Sequence, residues 1–288
     1  MKRSFLGKLQ RTALASLVGA LLLLVVVPVL QLAVLGPQGY ETALATPHAS
    51  LLWIAGHIQL FLLYRLALLL GFILLLGLPF ALFRIIVAQE IVGRAEIKAE
   101  DKAEADREEY DEDEDEDDIE EYDEGDDEEE YEDEDESADD EELAENGMPA
   151  FAWRGKGFAV IAAWTGAIGL LLLVGGTLAS TIYLWSSASS VSAQVPDNFA
   201  GVSSFCAVLT YTVGGGLLAL ALIFFGIVIA RSGRKLWPDS WVAFGYIALA
   251  IGAIASGSAV QVALAPTGGQ ASLTTPTILL FSIWSLWF

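Results

Sequence analysis

LALLLGFILLLGLPFALFRIIV, residues 66–87, is 22 residues long and carries one charge, Arg84. A hydrocarbon core about 30 Å thick is crossed by roughly 20 apolar residues of α-helix, because a helix satisfies its own backbone hydrogen bonds where no water can. The stretch therefore reads as a membrane-spanning helix. Four more segments of this kind lie at about residues 12–35, 158–184, 204–230 and 242–264. The expected fold class is all-α, a polytopic transmembrane helical bundle of about five spans. A transmembrane barrel would instead show alternating segments of about 10 residues.

Upstream of residue 66 the apolar character continues back to Leu51. Residues 51–87 would make about 55 Å of helix, too long for one perpendicular crossing. Arg65 and Arg84 suggest where the crossing lies: about 28 Å of helix separates them, and both side chains are predicted to snorkel to opposite interfaces as anchors. Residues 51–64 then form an outer extension or an interfacial helix, with Trp53 and Tyr64 at the headgroup level. Pro79 predicts a kink.

Downstream, residues 96–146 hold 34 acidic residues against Lys98, Lys102 and Arg107, a net 3 − 34 = −31. The rest of the chain carries 12 basic and 4 acidic residues, so the overall charge of −23 hides a mildly basic membrane body. Low hydrophobicity with extreme charge leaves too little apolar surface to offset the entropy of ordering, and a disordered acidic cytoplasmic loop is expected. Three parts follow: a two-helix N-terminal membrane segment (1–94), the acidic loop (95–150), and a three-helix C-terminal membrane segment with an apolar tail (151–288). Tyr110, Tyr122 and Tyr131 punctuate the acid run and are the candidate contacts for a basic protein segment. Nucleic acid is not an expected partner. An EF-hand register fails, since counting back from Gly125 puts Glu120, Tyr122 and Glu124 where Asp or Asn is needed. Divalent cations are expected to bind only weakly.

Lysine and arginine near membrane ends are retained in the cytoplasm. With the N-terminus cytoplasmic, 14 of the 15 basic residues fall on that side, Arg65 being the exception. A multi-pass plasma-membrane protein is expected, with the acidic loop inside and the C-terminus outside. The first apolar run exceeds the roughly 7–15 residues of a signal-peptide core, so it reads as an uncleaved anchor. Residues 277–288 are too few to span, and an interfacial, re-entrant or subunit-packed segment is expected, the first of these preferred. Helix association in lipid depends on close backbone approach, and Ala248, Gly252 and Ser256 recur every fourth residue as a candidate packing face. Ala162, Gly166, Gly175, Gly176 and the Gly214–Gly215–Gly216 triplet are further small positions.

No catalytic constellation assembles. The chain lacks a phosphate-binding loop, a dinucleotide fingerprint and histidines at metal spacing, and Ser256–Gly257 lacks the leading glycine of a GxSG nucleophile. Cys206, the only cysteine, reads as a small packing residue. No enzyme activity, cofactor or metal is expected. The expected function is a non-catalytic membrane accessory or scaffold protein whose polyanionic loop recruits basic partners. The alternative is a channel or transporter for an ion or small uncharged solute, although no Asp or Glu lies inside any of the five predicted crossings.

Overall fold

The structure is a computed structural model and describes residues 3–89, 157–190, 195–266 and 273–287. One compact unit comprises Met1–Ile86 with Phe158–Phe288, and a second comprises Val87–Gly157. The acidic segment, including Tyr110, Tyr122 and Tyr131, lies outside the described residues.

The described residues are almost entirely helical and contain no strand. Five helices are long and apolar enough to cross a membrane: α1 (Leu9–Gln38), α3 (Ile58–Gln89), α4 (Gly157–Ser190), α5 (Phe199–Arg231) and α6 (Asp239–Leu264). Two shorter helices complete the set, α2 (Pro47–Gly56) and α7 (Thr274–Trp287). Each long helix contains one of the predicted apolar segments. All outlast the hydrocarbon core, since 26 to 34 residues rise about 39–51 Å.

Local sequence accounts for the interruptions. In α1, π-helical turns at Leu22–Val26 and Leu30–Leu35 flank Pro28, which offers no N–H and crowds the preceding turn. Gly39, at φ 80°, turns the chain out of α1, a conformation that costs a side-chain-bearing residue. The Thr46 hydroxyl caps α2 by accepting from the Ala49 N–H at 3.3 Å, and Pro47 supplies the first helical position. In α3 the helix opens into a turn at Leu76 and Gly77, two residues ahead of Pro79, and resumes over 78–89.

Glycines set the helix contacts. A Cβ on Gly19 would stand 2.9 Å from the Gly71 carbonyl, placing α1 against α3. On Gly169 it would stand 2.8 Å from both the Gly214 carbonyl and the Leu218 nitrogen, placing α4 against α5. On Gly226 it would stand 2.7 Å from the Gly245 carbonyl, placing α5 against α6. Lipid is as apolar as leucine, so these backbone approaches supply the dispersion contact that solvent exclusion cannot.

The C-terminal segment differs from the preferred expectation of an apolar tail at the outer interface. It forms α7, which packs one face against α1 and α6. At its start the Ser258 and Thr274 hydroxyls are 3.1 Å apart. Near its end Trp284 stacks on Phe244, with centroids 4.5 Å apart and planes at 14°, and its indole N–H donates to the Phe244 carbonyl at 3.2 Å. Thus α7 runs antiparallel to α6 and returns the chain to the level where α6 begins. Burial is tolerated because its hydroxyls bond within the helix: Ser282 donates to the Ile278 carbonyl and Ser285 to that of Phe281, both at 2.7 Å.

Candidate functional site

Arg65 lies on α3 seven residues after its start, about 10 Å along the axis. The sequence reading sends this side chain outward to the interface. Its guanidinium instead covers the Phe61 ring, 5.3 Å from the centroid, and donates to the Tyr211 hydroxyl on α5. Tyr40 and Tyr64 also face it, and no carboxylate stands among these groups. Nε is buried and has no hydrogen-bond partner among the described residues. The charge is thus held by phenol oxygens and a ring face rather than by an ion pair.

The surrounding elements hold this arrangement. Val208–Gly214 of α5 is π-helical, and the widened turn carries Tyr211. Such insertions recur at functional sites because they re-aim one side chain without ending the helix. Above Arg65 the loop after α1 and the helix α2 form an aromatic lid. Tyr40 packs on Trp53 at 4.8 Å and on Tyr64 at 6.4 Å, and Trp53 stacks on His57 at 4.6 Å. The Trp53 indole N–H donates to the Gln38 carbonyl at 2.7 Å, tying α2 to the end of α1. Tyr40, Trp53 and Tyr64 are all buried, whereas the sequence reading places Trp53 and Tyr64 at the headgroup surface. Burial pushes the Tyr40 hydroxyl above its ordinary pKa, and the nearby Arg65 charge opposes that rise.

Tyr211 also borders a cavity of about 40 Å³, whose other polar lining comes from Ser258, Thr274 and Thr277. This is room for a few water molecules. The cavity places hydroxyls beside the Arg65 cluster without adding a charged or nucleophilic group. No cluster of three or more His, Cys, Asp or Glu side chains suited to a metal occurs among the described residues.

The other residues marked in the sequence are dispersed. Ala248 and Gly252 are buried; a Cβ on Gly252 would meet Ile223 at 2.7 Å and the Ala219 carbonyl at 3.1 Å, both on α5. Ser256 is half-buried and donates to the Gly252 carbonyl of its own helix at 2.9 Å. Arg84 is half-buried near the other end of α3. Gly166 packs on Pro79 and Ala221, and Gly176 on Thr210, while Gly175 and Gly215 face open space. Sequence reasoning did not find the Arg65–Tyr211 contact. Its only available signal was a lone arginine next to an apolar run, together with a tyrosine inside a span 146 positions later.

Comparison with family models, with curated proteins and with solved structures finds no match. The chemistry of the residues therefore carries the functional reading.

Proposed function

We propose that this chain is a non-catalytic accessory or scaffold protein of the plasma membrane, whose polyanionic segment recruits basic protein partners at the cytoplasmic face. The observation that carries this reading is the density of charge: 34 acidic residues within 96–146, joined at both ends to membrane-spanning helices. A tethered polyanion raises the local concentration of acid groups near the membrane, and its attraction for a basic segment falls as salt shortens the Debye length, about 8 Å at physiological ionic strength. The closely approached helices and the small cavity beside Tyr211 support an anchoring role for the body. Tyr110, Tyr122 and Tyr131 are the apolar contact points proposed within the segment.

Deleting residues 108–142 removes 28 of the 34 acidic residues. Recovery of basic partners from crosslinked native membranes is expected to fall to background while insertion is retained. Unchanged recovery defeats the recruitment reading. Saturable solute flux in liposomes containing only the pure protein replaces it with the channel or transporter reading.

The basic-residue distribution supports a cytoplasmic N-terminus and acidic segment. The return of α7 to the level of Phe244 brings residue 287 toward that same side, which argues against the expected outer C-terminus. A cysteine introduced at Ser137 is expected to resist impermeant maleimide added to intact cells and to react once the membrane is opened. Labelling from outside reverses the proposed sidedness.

A further inference from the structure

We infer that Arg65 and the tyrosines around it form a binding site for the phosphate group of a lipid headgroup in the leaflet at that end of the bundle. Depth is the first argument. With 32 residues, α3 rises about 48 Å, about 18 Å more than the hydrocarbon core, which leaves about 9 Å beyond the core at each end when the helix is centred. Arg65, about 10 Å along the helix, then stands at the hydrocarbon boundary, just below the headgroup layer that holds the lipid phosphates.

Donor chemistry is the second argument. A guanidinium presents five N–H donors in a planar fork, and side-by-side donors are matched by two oxygens of one phosphate. The Tyr211 hydroxyl is a single acceptor oxygen, and among the described residues Nε is buried without a partner and no carboxylate answers the charge. A buried cation in this state is costly, and intramembrane ionisable groups mark binding sites for that reason. Arg65 as a whole is half-buried, so part of its side chain lies at the bundle surface while Nε is covered. Tyr40, Trp53 and Tyr64 are buried beside it, and the ring packing holds the guanidinium at this depth.

The test uses the full chain, purified in detergent and stripped of lipid, with phosphatidylglycerol, diacylglycerol and inorganic phosphate as separate probes. Bound lipid is read by native mass spectrometry, and stabilisation by the shift in melting temperature. Phosphatidylglycerol is expected to bind and raise the melting temperature, while diacylglycerol, which lacks the phosphate, leaves it unchanged. Arg65→Gln is expected to weaken phosphatidylglycerol binding roughly tenfold or more, and Arg65→Lys by less, since lysine keeps the charge and loses the fork. Tyr211→Phe removes the hydroxyl that accepts from the guanidinium and is expected to weaken binding, by less than Arg65→Gln does. Should Arg65→Gln not yield monodisperse protein, Arg65→Lys and Tyr211→Phe carry the comparison. Equal binding by Arg65→Lys and the natural chain, or equal binding of diacylglycerol and phosphatidylglycerol, overturns the proposal. Inorganic phosphate giving the full stabilisation overturns the lipid source.

Discussion

Trp284→Ala is expected to destabilise the protein by about 3–5 kcal/mol, the range for emptying the space of a buried aromatic side chain. Trp284 is 2% exposed and lies between Phe244 and Phe281, with centroid distances of 4.5 and 6.0 Å. Its indole N–H is satisfied by the Phe244 carbonyl of α6. Truncation removes the ring stack and the longest-reaching polar tie between α7 and α6 at one stroke, so α7 should loosen from the bundle. Trp284→Phe keeps a ring in the space and loses the hydrogen bond, for a smaller cost of about 1 kcal/mol. Trp287 is the internal comparison. It is on the same helix but 49% exposed, and Trp287→Ala should have a minor effect. Unfolding transitions in one detergent, followed by circular dichroism, rank the three variants. If Trp284→Ala melts with Trp287→Ala, the buried position of α7 is wrong.

Gly169→Leu is expected to cost at least as much as the roughly 1–3 kcal/mol of ordinary overpacking. The atoms that a side chain meets here are the Gly214 carbonyl and the Leu218 nitrogen, both backbone of α5. A flexible side chain can rotate aside, whereas backbone moves only when the whole helix moves. The π-helical turn ends at Gly214, so separation of α4 from α5 should also disturb the segment that presents Tyr211. Gly175→Leu, about 1.7 turns further along α4, introduces the same side chain where nothing lies within 4 Å. That variant should match or slightly exceed the natural chain in stability, because leucine is a better helix former than glycine. Equal stability of the two variants would show that backbone approach at Gly169 does not set the effect.

The contrast between these two glycines shows how far the sequence reading reached. Gly175 and Gly176 are neighbours, and both read as small positions in one apolar segment. Only Gly176 meets another helix, through Thr210. Helical periodicity separates adjacent residues by about 100°, but it does not say which direction holds the neighbour. The triplet Gly214–Gly215–Gly216 behaves the same way, with Gly214 against α4, Gly215 in open space and Gly216 at 3.8 Å from Ala259.

Arg65 marks the same boundary at the candidate site. Its spacing from Arg84 was readable as a depth in the membrane, since rise per residue is a local property of the helix. The direction of its side chain depended on Tyr211, Tyr40 and Phe61, which come from two other parts of the chain and from the preceding turn of α3. A lone charge at the edge of an apolar run has two solutions, reaching out to water or turning inward to acceptors and ring faces, and composition does not separate them.

From sequence alone came the all-helical membrane architecture, the five long apolar helices and the concentration of acid between the second and third of them. Each of these is a sum over consecutive residues: the cost of moving a segment into hydrocarbon, or the charge carried by a stretch of chain. Tertiary structure alone decided that α7 folds back beside α6, that Arg65 turns onto Tyr211, and which glycines touch. Those outcomes depend on contacts between residues far apart in the chain, within a solvent that does not itself drive apolar helices together, so surface fit between the helices determines them.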